Sequence, residues 1–593
     1  MTRTLDPITL AIIQNRLDFI SRQMGRVMIR TSRSPIFNQS HDFSCFISDA
    51  DGQLISQADG IPIHTGGGGF AVEAIRQQYG TDIHPGDVFL LNDPYEAGGN
   101  HLPDWVIAWP VFENDKLIAF TCNRAHQSDI GGGAAGTYNP EATEIFHEGV
   151  RIPPVKLMQN GKMDDGLFRL LMLNTRTPHL QEGDLLAMIG SARIGAEELV
   201  SLSATQYGGL QPAFDAIMAY ADRKMRSLIA ELPDGVYSAE ESYEHDCFVT
   251  RKVRIKLMLT IAGDDVAVDF TGTDDQISGF KNSSLANTHS AVYAGVSSFF
   301  GKELPRNSGT FRCIAMNAPL GSLVNPRPPA PVTMCTVFPA HEIMHCIWLC
   351  MNQADPSRAL AGWGKNSFPV ISGSDDQRRT WVMYNWSACS GGGATRGRDG
   401  FEQIGPVITL GGLTIPNAES FEQLYPVRIN RQEFRCDGGG AGEFRGGAGI
   451  DCEVEFLSDV EFSFRGEGLQ RPTGLGVCGG HSGAMGEIDL VTAKGRRPEV
   501  PIYGLERTGP ATLHILSPGG GGTGDPMERP AEKVLKDVRG GIVSADAARR
   551  DYGVVLTNDG RDVDLTATRA LRDSAETLVK HDAGGSRSGR GGS

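Results

Sequence analysis

Two short polar blocks flank an apolar strand–turn–strand run, and that arrangement leaves few ways to fold. Asn100-His101-Leu102-Pro103-Asp104 leads into Trp105-Val106-Ile107-Ala108-Trp109-Pro110-Val111-Phe112. Glu113-Asn114-Asp115 follows, and Leu117-Ile118-Ala119-Phe120-Thr121-Cys122 then runs into Asn123-Arg124-Ala125-His126-Gln127-Ser128-Asp129. Both apolar runs have strand length and strand composition, and the polar triplet between them is turn chemistry. In an antiparallel hairpin the start of one strand lies beside the end of the next. His101 and Asp104 are therefore expected at the same end of a sheet as His126 and Asp129. A further carboxylate, Asp42 in Asn38-Gln39-Ser40-His41-Asp42, directly precedes another strand-like run, Phe43-Ser44-Cys45-Phe46-Ile47.

Two imidazoles and several carboxylates are the donors that zinc, manganese or iron(II) takes. The competing reading is plain: aspartates near strand ends often cap turns and need no metal. Asp93, before Pro94, reads as a turn initiator. Spacing alone leaves metal site and turn both open.

The same blocks, with Arg30-Thr31-Ser32-Arg33-Ser34-Pro35 and Ile61-Pro62-Ile63-His64-Thr65-Gly66, resemble the hydantoinase B/oxoprolinase family. The likeness continues through Val268-Asp269-Phe270-Thr271-Gly272-Thr273, Pro426-Val427-Arg428, Gly438-Gly439-Gly440-Ala441-Gly442-Glu443-Phe444-Arg445-Gly446-Gly447 and Gly519-Gly520-Gly521-Gly522-Thr523-Gly524-Asp525-Pro526. It spans nearly the whole chain to about residue 560. The resemblance implies one component of an ATP-dependent enzyme that opens hydantoin, 5-oxoproline or lactam rings. ATP would be bound by a hydantoinase A-type partner in an (αβ)2 hetero-oligomer. Implied metal ligands fall on Asp42, His101, Asp104 and His126, with zinc first and manganese or iron as alternatives. Asp129 is then a candidate to orient His126 or act as base, and His64 to support the site or touch substrate, against a turn-stabilising role. The family also contains acetone and acetophenone carboxylases, so ketone carboxylation is the alternative, and a non-catalytic scaffold subunit is the alternative of another class.

At 593 residues the chain exceeds one compact core, and roughly two to four domains are expected. A net charge of −16 argues against a nucleic-acid or anionic-membrane partner. The eleven cysteines lack any Cys-x-x-Cys pair and suit reduced thiols. The N-terminal residues carry no apolar signal segment, and no run of 18 apolar residues appears. A soluble cytoplasmic protein is the expectation.

Asp6 and Pro7 are placed to start an amphipathic helix whose apolar face carries Ile8, Ile12, Ile13, Leu17, Ile20, Met24, Val27 and Met28. A hairpin is expected at 43–58 and a short helix at 70–79; helices follow from 184 and over 212–232, stopped by Pro233-Asp234-Gly235. Strands are expected at 252–261, 266–270, 451–456 and 460–464, and helices at 286–300 and 340–353. The pattern reads as α+β, multi-domain, with antiparallel sheets and grouped helices. The expected divisions are a metal-site domain at 1–235, a central α+β domain at 236–420, a glycine-rich β domain at 421–575 and a disordered tail at 576–593.

Other motifs compete for function. His341-Glu342-Ile343-Met344-His345 is a literal H-E-x-x-H, which on a helix would suit a zinc protease. It lacks the His-x-x-Gly-x-x-His extension, and a packing helix is the favoured reading. Glycine runs at 66–69, 131–133, 438–442 and 519–524 would suit phosphate cradles. None continues into Gly-Lys-Ser/Thr or forms a dinucleotide fingerprint, so close backbone packing is favoured. No Gly-x-Ser-x-Gly elbow is present; Gly480-His481-Ser482-Gly483-Ala484 comes nearest.

Overall fold

The side chain of Asp6 accepts hydrogen bonds from the N–H groups of Ile8 and Thr9, and Pro7 sets the first turn of helix α1 (Pro7–Thr31). The computed structural model describes residues 6–574, apart from 58–59, 67, 206–208, 302–303 and 499. The tail expected at 576–593 lies outside them. Ile13, Leu17, Ile20, Met24 and Met28 of α1 are buried, whereas Ile8 and Ile12 are 74% and 58% exposed. The apolar stripe is one turn longer than the surface it packs on.

After α2 (Pro35–Asn38) the chain builds a seven-stranded antiparallel sheet. Its strands are β1 (Phe43–Asp49), β2 (Leu54–Gln57), β3 (Val88–Leu91), β4 (Asp104–Glu113), β5 (Lys116–His126), β6 (Val155–Gln159) and β7 (Lys162–Met163), in the order β2-β1-β5-β4-β3-β6-β7. Two short helices, α3 (Pro62–Thr65) and α4 (Gly68–Tyr79), separate β2 from β3. Alternation along β4 explains why that strand is apolar almost throughout. Trp105, Ile107 and Val111 enter one core, while Val106 and Ala108 enter a second one with Phe46, Ile75, Phe89 and Phe120. Helices α5 (Asp165–Leu173), α6 (Pro178–Ala204) and α7 (Gln211–Ile229) follow. α6 is pinned to β5 by Thr121 Oγ1–H and Asn123 Nδ2–H, which donate to the carbonyls of Ala192 and Met188, each at 2.8 Å.

Next comes a sheet of β8 (Gly235–His245), β9 (Thr250–Ala262), β10 (Asp265–Asp269) and β11 (Ile314–Asn317), with helices α8 (Leu285–Phe299), α9 (Ser308–Phe311) and α10 (Ala340–Ala354). The segment Thr333–Ala354 is long and apolar enough to cross a membrane by composition, yet its most apolar window is 94% buried inside the protein. It is a core helix.

The last two sheets interleave. Strands β12 (Val370–Ser374), β13 (Thr380–Tyr384), β16 (Val460–Phe464) and β19 (Gly504–Thr508) form one; β14 (Val427–Phe434), β15 (Ile450–Phe456), β17 (Glu487–Thr492), β18 (Gly495–Arg497) and β20 (Ala511–Leu516) form the other. Pairing of β12 with β16 carries main-chain hydrogen bonds across residue 420, where a division was expected. The consecutive strands β15 and β16 part company, one to each sheet. The glycine runs of 438–447 and 519–524 lie against each other and against Gly391–Gly393, joined by main-chain bonds such as Gly440 N–H to Gly520 O at 2.8 Å and Gly447 N–H to Gly392 O at 2.8 Å. A Cβ on Gly519 would strike the carbonyl of Gly438, and one on Gly447 would strike that of Phe401. Close approach of backbone, favoured above over phosphate binding for these two runs, is what they supply.

Candidate metal centre

The hairpin turns through Asn114 and Asp115, both at left-handed φ (+49° and +62°), and its register pairs Asp104 directly with His126. On the other side of β5, strand β1 pairs Phe43 with Ala125, and the His126 N–H donates to the Asp42 carbonyl at 3.1 Å. Asp42, Asp104 and His126 thus arrive at one end of three adjacent strands. His101 enters from the loop before β4, and His64 from α3. All five side chains are buried; Asp42, the most accessible, is 8% exposed.

One donor atom each from His101, Asp104 and His126 lies within 4.8 Å of the other two. Asp104 Oδ1 is the shared point, 2.9 Å from His101 Nε2 and 3.2 Å from His126 Nδ1. The hydrogen bonds behind these rings decide what they present. His101 Nδ1 sits 2.5 Å from the Thr333 carbonyl, which can only accept, so the proton is on Nδ1 and a neutral ring turns the Nε2 lone pair toward Asp104. The Tyr384 hydroxyl gives its one proton to the Gly136 carbonyl at 2.8 Å. It therefore accepts from His126 Nε2–H at 3.0 Å, and the Nδ1 lone pair of His126 also faces Asp104. Two imidazole nitrogens and a carboxylate oxygen aimed at one another call for positive charge between them, which a shared proton or a metal cation supplies. His101 Nε2 and Asp104 Oδ2 are buried with no hydrogen-bond partner among the described residues. This N,N,O donor set, with outer partners fixing each ring, fits Zn²⁺, Mn²⁺ or Fe²⁺.

Burial disfavours charge on His101, but the Asp104 carboxylate outweighs it and lifts the imidazole above its ordinary value. Burial pushes Asp104 up, and His101 with His64 more than reverse that, holding it well below the carboxylate range. For His126 burial prevails and lowers the ring. His64 is pushed down to about 4 by burial, and is neutral. Its Nε2 lies 3.6 Å from Asp42 Oδ1 and 3.4 Å from Asp104 Oδ2, so it stands between the two carboxylates rather than in a turn contact. Burial lifts Asp42 to about 6. Asp42 is beside the three-residue group but not within it; its side-chain neighbour in the cluster is the His64 ring, 3.6 Å away.

Asp129 needs correcting. Its carboxylate accepts from the N–H groups of Gly131, Gly136 and Arg176 and pairs with the Arg176 guanidinium at 3.1 Å, so it neither touches His126 nor has a free oxygen to act as base. It acts at a distance: Asp129 holds Gly136, Gly136 holds the Tyr384 hydroxyl, and Tyr384 holds His126. Asp93 is a turn residue, with Oδ1 accepting from the N–H groups of Tyr95 and Glu96 and Oδ2 from Arg151. The H-E-x-x-H segment lies in α10, wholly buried. His345 Nε2 already accepts the Trp363 N–H at 3.0 Å, and Glu342 pairs with Lys365 Nζ at 2.7 Å. That helix packs; it does not present a metal face.

Residues 6–526 match the family model for hydantoinase B/oxoprolinase. The chain belongs to the hydantoinase B/oxoprolinase family. It is 37% identical to the beta subunit of the caprolactamase from Pseudomonas jessenii, over 96% of this chain and 99% of that one. It is 31% identical to the B-type subunit of a putative D-/L-hydantoinase from a Pseudomonas species, over 96% and 98%. A crystal structure of the ATP-dependent caprolactamase from Pseudomonas jessenii superposes with a TM-score of 0.89 at 36% identity, covering 96% of this chain and 100% of that one. An acetone carboxylase shares the fold at a TM-score of 0.85 with 19% identity, over 97% and 84%.

Several parts of the site carry no mark in the sequence. Thr333 and Tyr384 fix the two imidazoles from more than 200 residues downstream, and Glu148 fixes Thr333 by accepting its N–H at 2.7 Å. Tyr384→Phe is expected to weaken metal binding about tenfold, because the His126 ring loses the partner that sets its tautomer. Competition with a chromogenic chelator measures this; an unchanged affinity would mean that Tyr384 does not orient the ring.

Proposed function

We propose that this family member is the metal-bearing subunit of an ATP-dependent enzyme that opens cyclic amides, working with a separate ATP-binding subunit. The observation that carries the reading is the convergence of the His101 and His126 lone pairs on Asp104 Oδ1 in a buried site. Support for the reaction class comes from relatives whose names are caprolactamase and hydantoinase subunits.

An ion held by His101, Asp104 and His126 would polarise a carbonyl oxygen or lower the pKa of a water to about 7. Asp42 is the fourth donor in this reading, since a nearby cation favours its carboxylate form against the burial that otherwise holds it at about 6. His64, neutral and facing both carboxylates through Nε2, ties Asp42 to Asp104 and keeps their geometry. Burial of all five side chains excludes bulk water and strengthens each charge interaction.

ATP enters because an unstrained cyclic amide resists hydrolysis. Phosphorylating its oxygen would create a carbon that water attacks readily; collapse of the adduct would break the ring C–N bond with the amine taking a proton as it leaves, and hydrolysis of the resulting acyl phosphate would give the carboxylate and free phosphate. The glycine-rich segments at 438–447 and 519–524, packed against backbone, favour a partner chain as the place where ATP binds.

The test is co-purification with the partner subunit, phosphate release against hydantoins, 5-oxoproline, caprolactam and ketones with bicarbonate, and elemental analysis of protein never exposed to chelator. ATP-dependent phosphate release with a cyclic amide, none from the isolated chain, and about one metal ion per chain are expected. Turnover of a ketone with bicarbonate alone would replace hydrolysis by carboxylation. An active preparation holding less than roughly a tenth of an ion per chain would remove the metal centre from the mechanism.

A further inference from the structure

Arg465 follows β16 and ends beside the metal centre. Its guanidinium carbon lies 3.6 Å from the centre of the Tyr138 ring and 6.0 Å from that of Tyr384. Tyr138 in turn stacks on His126, with 5.8 Å between ring centres and 18° between planes. The residue is 5% exposed, and what it lacks is an acceptor. Among the described residues Nη1–H reaches only the Met334 sulfur, at 3.5 Å, and Nε has no partner. Asp42 is near enough to feel its charge, but among the described residues no carboxylate forms an ion pair with it. Two other buried arginines do better: Arg445 pairs with Glu402, and Arg529 with Asp399 and Asp537.

A guanidinium only 5% exposed and without a paired anion is costly, because it has exchanged most of its water for a thioether and aromatic faces. The surroundings repeat the pattern. Arg465, Asn366 and Trp386 line one narrow cavity of about 10 Å³, and Arg465 Nε, Asn366 Nδ2 and Trp386 Nε1 are all buried and unpartnered. Asn366 is held with its amide nitrogen free, since Oδ1 accepts the Ser390 hydroxyl at 2.5 Å. The other lining residues, Met334, Val337, Phe368 and Pro406, bring no side-chain carboxylate. A space of that size takes one oxygen atom.

We propose that Arg465, with Asn366 and Trp386, is an oxyanion-binding subsite that receives a phosphoryl oxygen of the activated substrate or of released phosphate beside the metal centre. The inference rests on the proposed function for the origin of that phosphoryl group, but the donors are there whether or not a metal binds. Arg465 would hold the leaving group in place and is a binding residue, not a base.

Calorimetric titration of the full-length chain with inorganic phosphate tests this, using wild type, Arg465→Met (similar volume) and Arg465→Lys, each checked by circular dichroism and metal analysis. Mn²⁺-loaded samples add a distance readout, since a nearby paramagnetic ion broadens the ³¹P resonance of bound phosphate. Wild type should bind phosphate and show broadening, Arg465→Met should bind about tenfold or more weakly with metal content unchanged, and Arg465→Lys should recover part of the loss. Because the cavity is narrow, Asn366→Leu serves as a second variant and should weaken phosphate binding as well. Equal phosphate affinity in Arg465→Met and wild type, or no binding by wild type, would overturn the proposal and leave an ordered water as the occupant. Arg465-dependent phosphate binding to a chain that takes up no metal would instead bring down the metal reading and leave this subsite standing.

Discussion

His101→Ala is expected to strip the chain of metal and, in the reconstituted complex, of measurable turnover. Three buried donor atoms share one point, and Asp104 Oδ1 lies 2.9 Å from His101 Nε2. Deleting that ring leaves two donors and a carboxylate that burial penalises, so bound metal should fall below roughly a tenth of the wild-type content. Stability should fall too. A ligand that binds only the native state at 1,000 times its Kd adds about 4 kcal/mol, and that contribution goes with the ion. Asp104→Asn and His126→Ala should behave alike. Asp93→Ala is the control: it loses two turn hydrogen bonds and an ion pair with Arg151, yet should keep its metal. Elemental analysis of variants that remain folded by circular dichroism measures all of this. Metal retained by His101→Ala, or lost from Asp93→Ala, would mean that the coordination shell is drawn wrongly.

Glu342→Gln should destabilise the protein by about 3 kcal/mol while leaving metal content unchanged. Glu342 and Lys365 pair at 2.7 Å with both side chains almost fully buried, at 0% and 1% exposure. Burial works against the Lys365 charge, but Glu342, Glu241 and Glu467 together hold its ammonium above the ordinary lysine range. Removing the nearest of these carboxylates leaves the charge to partners such as Glu241, 4.0 Å away. Urea unfolding of wild type and variant reads the difference. A stability change within about 0.5 kcal/mol would contradict the pairing. A loss of roughly three orders of magnitude in turnover with the fold intact would revive the H-E-x-x-H segment as a catalytic motif.

These two substitutions fall on two histidine–carboxylate motifs, of which the sequence favours the first as a metal site and the second as a packing helix. Local pattern was enough for the hairpin: apolar runs of strand length around Glu113-Asn114-Asp115 determine an antiparallel pair, and its register puts Asp104 opposite His126. Local pattern was also enough for α1, because Asp6 and Pro7 sit within the turn they cap. Side-chain partners more than a few residues away were beyond it. Asp129 follows His126 by three residues as Asp104 follows His101, yet one carboxylate is consumed by Arg176 and backbone N–H groups while the other faces two imidazoles. Spacing is identical; packing decides. The sequence alone determined that carboxylates and histidines meet at a sheet end, because strand pairing follows alternation and turn chemistry. Only the tertiary structure decided which lone pairs face inward, since that depends on Thr333 and Tyr384, carried to the site by folding of distant segments. It decided likewise that the glycine runs at 438–447 and 519–524 serve packing, because a Cβ at Gly519 or Gly447 meets a carbonyl from another part of the chain, and no local rule encodes such a neighbour.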